Sequence, residues 1–180
     1  MLACGLPANH LHSVEVPAAV TPNLQAFLAM IAVSEGTAAI GDRGYNCIVG
    51  SRVGRALLFT SYADHPRIKV QLRADDPKTL QDEGLWSTAA GRYQILARYF
   101  DAYKKTLGLR DFTPASQDAI AVQMIREQKA LDNIEAGQLV PAIDRCKNIW
   151  ASLPGAGYGQ HENTLDRLAQ AYTQNGGVVA

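Results

Sequence analysis

The sequence predicts an α+β fold: one apolar helix, then a small antiparallel sheet, then a larger helical lobe. Three observations carry that prediction. Apolar residues recur at helical spacing from Leu24 to Ile31. Gly, Val, Ile and Tyr crowd together at short spacing from Gly41 to Tyr62. From Thr88 onward helical periodicity returns and holds almost to the end.

Taken in order, Thr21 and Pro22 supply an N-cap and a first-turn proline, so the first helix should run to Ser34 or Glu35, where Gly36 stops it. "GYNCIVGSRVGRALLFTSY", Gly44 to Tyr62, reads as short strands joined by turns. "ADHPR" and "ADDPKTLQDEG" read as loops, because the residue before a proline avoids the helical region. A helix is expected from near Thr88 through "GRYQILARYFDAYKKTL" to Gly108. Thr113 and Pro114 open the next, with Ile120, Ala121 and Met124 on one side, and a short segment then ends at Gly137. Further helices are expected over Leu139 to Trp150 and Thr164 to Gln174, separated by the Gly-rich loop "SLPGAGYGQ". The expected organisation is a flexible N-terminal tail at 1–20 and one folded domain at 21–180.

Composition narrows the function classes. With 180 residues the chain is long enough to bury a core of its own. Seventeen basic and seventeen acidic residues cancel without forming a block of one sign, which argues against a nucleic-acid partner held by phosphate neutralisation. No apolar run approaches the length of a membrane span, so stable membrane insertion is not expected. Cys4, Cys47 and Cys146 are odd in number and lack metal-ligand spacing, so neither a disulfide framework nor a metal site is predicted; Cys47 and Cys146 read as small core residues. The opening "MLAC" resembles the end of a lipoprotein signal but lacks the basic and apolar segments of one, and His10 and His12 read as solvated tail residues.

The residue that demands an explanation is Glu35. At about 100° per residue it falls about 20° from Leu24, on the side of the helix that carries Phe27, Leu28 and Ile31. A carboxylate on a core-facing side, at a helix end whose unpaired carbonyls disfavour negative charge, should hold its proton to a raised pH. Such a group can protonate a leaving oxygen, the requirement of glycosidic cleavage. The bland alternative is a glutamate fraying into solvent, or one paired with Arg43, Arg52 or Arg55.

"SEGT" (34–37), "GYNCIVG" (44–50), "DHPR" (64–67), "AGRYQIL" (90–96), "SQDAIA" (116–121) and "AIDRCKNIWASLPGAGYGQ" (142–160) together, and in this order, resemble the bacteriophage lambda endolysin family over roughly residues 23–177. The resemblance implies a lysozyme-like fold, with the active-site cleft between the sheet lobe and the helical lobe. It also implies a lytic transglycosylase, which cuts the β-1,4 bond between N-acetylmuramic acid and N-acetylglucosamine of peptidoglycan and leaves a 1,6-anhydro product. Glu35 matches the catalytic acid. No cofactor and no metal are implied.

Around it, Gln94 of "GRYQ" matches the glutamine placed beside the acid in soluble transglycosylases, and Tyr93 reads as either core or cleft. Tyr158 in the Gly-rich loop is expected to meet a sugar, with Gln160 assisting and Asn148 supporting the site; Trp150 reads as core. Arg73 to Thr88 is longer than the matching family stretch and reads as a rim loop, in which Trp86 either covers a glycan or anchors the loop, and Ser87 sits at the cleft edge or caps the next helix. Where the family commonly has Asp after Gly-Tyr, this chain has Asn46, which cannot act as a base.

Two other readings stand beside this one. A hydrolytic muramidase would use Asp42 or Asp64 to direct water, and a non-catalytic peptidoglycan-binding or tail module would need no acid at all. The resemblance further implies a monomer that accumulates in the host cytoplasm and reaches the glycan strands of the periplasmic wall through a membrane lesion made by a holin.

Overall fold

The computed structural model describes residues 20–73, 85–157, 159 and 161–180. The expected tail with Cys4, His10 and His12 lies outside the described residues, as do 74–84 of the expected rim loop and the two loop candidates Tyr158 and Gln160.

Helix α1 spans Pro22–Ser34, and the Thr21 hydroxyl caps it by accepting from the Leu24 amide at 3.2 Å. The apolar stripe predicts one buried face. In the structure the helix is enclosed almost all round, with Ala26, Phe27, Met30, Ile31 and Ala32 fully buried. It packs against α4 (Leu131–Glu135) and α6 (Leu165–Gln174), and the small Ala26 and Ala32 let neighbouring elements approach from sides a stripe would leave open. Gly36 at φ 72° turns the chain out of α1, while the Thr37 and Ala38 amides both donate to the Ala32 carbonyl.

The small antiparallel sheet exists, but not where the sequence suggested. Residues 41–62 form turns and isolated bridges, Cys47 with Leu58 and Arg52 with Arg55. Left-handed backbone at Gly41, Arg43, Gly44, Gly50 and Gly54 breaks the extended run before a ladder can grow. The sheet is instead β1 (Val70–Arg73) against β2 (Leu85–Ser87), with Val70 opposite Ser87 and Gln71 opposite Trp86, at the two ends of the expected rim loop.

A second correction concerns "GRYQ". Helix α2 begins only at Ala97 and runs to Thr106. Ahead of it Ala90 and Ile95 exchange backbone hydrogen bonds of 3.1 and 2.9 Å, closing a tight turn through Gly91 (φ 77°) and Gln94 (φ 50°). Gly91 is required here, since a Cβ would lie 2.2 Å from Gln117 Oε1. The buried Gln117 amide stitches the turn to the core: Oε1 accepts from the Arg92 amide, and Nε2 donates to the Tyr45 and Phe112 carbonyls.

The helical lobe follows the prediction more closely. Helix α3 spans Pro114–Glu127 and buries Ile120, Ala121 and Met124; α4 ends before Gly137. Helix α5 (Leu139–Cys146) stops four residues short of Trp150. Helix α6 is capped by the Thr164 hydroxyl, which accepts from the Arg167 amide at 3.3 Å. Cys47 and Cys146 are buried free thiols, and Trp150 is core, its Nε1 donating to the Tyr93 carbonyl at 3.2 Å. Among the described residues no helix is long and apolar enough to cross a membrane.

Candidate active site

Glu35 is the C-cap of α1, its amide donating to the Ile31 carbonyl at 2.8 Å. The residue is half-buried, facing a cavity of about 300 Å³ whose wall includes Ser34, Ser152, His161, Asn163 and Arg167. Ser152 Oγ donates to Glu35 Oε1 at 2.6 Å. Burial pushes the carboxyl pKa up to about 7, against the lowering effect of the Ser152 hydrogen bond. Among the described residues no ion pair reaches Glu35, so the predicted alternative of an arginine partner is not realised.

Ser152 is itself held. Its Oγ lies 2.7 Å from Ser34 Oγ, and the buried Asn163 sends Nδ2 to the Ser34 carbonyl (3.0 Å), Ser34 Oγ (3.2 Å) and the Ser152 carbonyl (3.2 Å). The Asn163 amide also donates to the Ser152 carbonyl at 2.8 Å. The end of α1 and the loop after α5 are thereby fastened together directly behind the acid. Sequence reasoning missed Ser34, Ser152 and Asn163 as a set, because the contacts span 118 and 129 residues and no local pattern encodes them. Their only signal was position: Ser34 precedes Glu35, and Ser152 opens the Gly-rich loop. That loop has its own brace, Glu162 accepting from the Gly155 and Gly157 amides at 2.8 and 2.7 Å.

Gln94 is half-buried in its turn, and Nε2 donates to the Gly91 carbonyl at 2.9 Å, leaving Oε1 uncommitted to that bond. The turn is tied to the acid's neighbourhood by Thr37, two residues past Glu35, whose hydroxyl donates to the Arg92 carbonyl at 2.6 Å. Tyr93 is placed in the core rather than on a cleft wall: it is 2 % exposed, and its hydroxyl donates to Asp118 Oδ1 at 2.6 Å. This placement argues against a direct glycan contact. Ser87 accepts from the Ala89 amide at 3.1 Å and lines, with the half-exposed Trp86, Lys69 and Arg98, a cavity other than the one that holds Glu35. Asn148 is exposed and donates to Gln128 Oε1 at 2.8 Å.

The two candidate second carboxylates are engaged elsewhere. Asp42 accepts from the Tyr62 hydroxyl at 2.9 Å. Asp64 pairs with Lys104 at 3.0 Å and Arg67 at 3.3 Å; partial burial works to raise its pKa, but Lys104 and Arg67 prevail and hold it below the usual carboxylate value. Asn46 uses Oδ1 to accept from the Asp42 amide at 2.8 Å, so this amide builds a turn.

A half-buried glutamate with a raised pKa, facing a cavity at the end of a helix, within a fold of a small sheet and a helical lobe, is the arrangement expected of a lysozyme-like glycosidase. The comparisons agree: residues 25–179 match the endolysin family, and the chain belongs to that family. It is 52% identical to the endolysin of Escherichia phage lambda, covering 86% of this chain and 92% of that one. To the endolysin of Escherichia phage P2 it is 49% identical, with 88% and 95% covered. Bacteriophage lambda lysozyme complexed with a chitohexasaccharide superposes with a TM-score of 0.79 at 49% identity, over 90% of this chain and 99% of that one.

Proposed function

We propose that this endolysin is a lytic transglycosylase, with Glu35 as its only catalytic carboxyl. In its protonated form, which a pKa of about 7 keeps populated at neutral pH, Glu35 donates to the oxygen linking N-acetylmuramic acid to N-acetylglucosamine. The C1–O bond breaks, positive charge develops at C1, and the muramic C6 hydroxyl closes onto C1. The hydroxyl proton returns to the Glu35 carboxylate, so atoms and protons balance without water, and one group serves first as acid and then as base.

One observation carries this reading: the described residues lining the Glu35 cavity include no second Asp or Glu. A hydrolytic lysozyme usually needs such a group as nucleophile or to activate water. The likeness to lambda lysozyme with its bound chitohexasaccharide supports a glycan polymer as the ligand. By the resemblance to the family, glycan binding is assigned to Gln94 and, in the Gly-rich loop, to Tyr158 with Gln160 assisting. The enzyme acts as a monomer on peptidoglycan strands, after a holin opens the way from the host cytoplasm. Glu35→Gln tests the assignment: turbidity clearing of wall preparations should fall at least ~100-fold while the fold is kept, and equal clearing by wild type and variant would sink it.

A further inference from the structure

We propose that a second cavity, between β2 and the start of α2, binds the acidic peptide stem carried by the glycan strand; this rests on peptidoglycan as the substrate. Lys69 and Arg98 meet the stem's carboxylates, and Trp86 packs against its apolar atoms.

The cavity is built by the two arms of the turn that carries Gln94. Ala90 and Ile95 close that turn, and two residues further out on each arm the Ala97 amide donates to Thr88 Oγ1 at 3.2 Å. Ser87 and Thr88 on one arm and Arg98 on the other line a space of about 390 Å³. Strand β1 completes it. Val70 pairs with Ser87, so the antiparallel register sets Lys69, the residue before Val70, beside Thr88. Trp86, half-exposed on β2, forms another part of the wall. The space therefore adjoins the turn whose Arg92 carbonyl is tied to Thr37, two residues past Glu35.

The charge of this wall is one-sided. Lys69 and Arg98 are both exposed, and the described residues lining the space include no carboxylate. Among the described residues neither cation belongs to an ion pair. Arg98 is steadied by its neighbour: its guanidinium lies 4.9 Å from the centre of the Tyr99 ring, and Nη2 donates to the Tyr99 hydroxyl at 3.4 Å. Most of its N–H donors remain for a ligand. Two like charges facing one concavity repel each other and raise the local concentration of anions. A neutral polymer of N-acetylglucosamine gives them no partner, since its groups are hydroxyls and acetamides. Peptidoglycan differs in a respect that these cations can read: the lactyl ether of muramic acid carries a short peptide with free carboxylates. Guanidinium and ammonium donors, two hydroxyls and an indole ring suit such a peptide, whose charged groups alternate with methyls and methylenes.

Two probes separate the charge of the stem from the rest of the strand: uncrosslinked peptidoglycan strands with their stems intact, and the same strands with the stem carboxyls converted to amides. Binding is measured by calorimetry on Glu35→Gln, so that the strands survive. That variant should prefer the intact strands ~10-fold at low salt, and the preference should shrink as salt rises. Adding Lys69→Gln and Arg98→Gln together should remove the preference, weakening binding of the intact strands ~10-fold and of the amidated strands by no more than about twofold. With Glu35 in place, the same pair of substitutions should raise KM on intact strands ~10-fold with kcat within about twofold. Equal affinity for the two probes before the substitutions, or an equal change on both after them, overturns the proposal, because the cations would then serve the chain itself or only solvent. Cleavage of the strands by Glu35→Gln with the preference intact faults the acid role of Glu35 instead and leaves the stem site standing.

Discussion

Glu35 and Asp64 are both carboxyl groups next to helical elements, and their surroundings drive them in opposite directions. Asp64 lies near the surface between Lys104 and Arg67, and Arg67 makes a further pair with Asp101 at 2.6 Å. Glu35 is more enclosed and, among the described residues, receives one hydroxyl hydrogen bond and no ion pair. The first group is ionised and serves the structure. The second keeps its proton to about pH 7. In the proposed mechanism the acid is made less by what touches the carboxyl than by what is withheld from it.

The largest expected effect comes from ending that isolation. Ser152→Lys would set a cation against Glu35 and pull its pKa down by ~1–3 units. Activity at neutral pH should then drop ~10-fold or more while glycan binding persists, and the activity optimum should move to lower pH. A variant as active as the wild type at pH 7 would show that the protonated form is not the working one.

Next in size is the pH dependence of stability, whose sign differs between the two groups. The pKa of Glu35 is raised from 4.5 to about 7 on folding, so its favourable contribution is complete below pH 4.5 and is lost as pH rises through about 7. Glu35→Gln removes that titration. Relative to wild type it should gain stability between these limits, up to ~3 kcal/mol, the linkage value for ~2.5 units before any allowance for solvent screening. Asp64, with its pKa lowered, contributes stability above the unfolded value, which is lost as pH falls. Chemical denaturation of the two variants against pH checks both slopes.

The smallest effect is expected from Asp64→Asn. Its partners are partly exposed, so the loss should be ~1 kcal/mol or less, with lytic activity within about twofold of wild type. A collapse of activity would restore Asp64 as a second catalytic carboxylate.

The contrast also marks how far sequence alone reaches. The raised pKa of Glu35 was legible because it follows from helical periodicity and a helix end, both local. The cap at Thr21 and the helix starts at Pro114 and near Thr164 were legible for the same reason. What escaped depends on distant partners. "GRYQ" has helical composition, yet Gln117 and the bridge between Ala90 and Ile95 make it a turn. Tyr93 has an aromatic ring suited to a sugar, yet Asp118 on α3 holds its hydroxyl in place. The sheet was expected in the Gly-rich segment because β-branched residues are dense there, although those same glycines interrupt it. Ser152 and Asn163 had no local signature, and they provide the nearest support of the acid.

Digestion of peptidoglycan in heavy-oxygen water, followed by mass spectrometry of the glycan ends, tests the central claim most directly. If Glu35 acts alone as acid and then base, the muramic products are lighter than the hydrolytic ones by one water and carry no heavy oxygen. Reducing muramic ends labelled with heavy oxygen would show that water is the nucleophile, and would contradict the account.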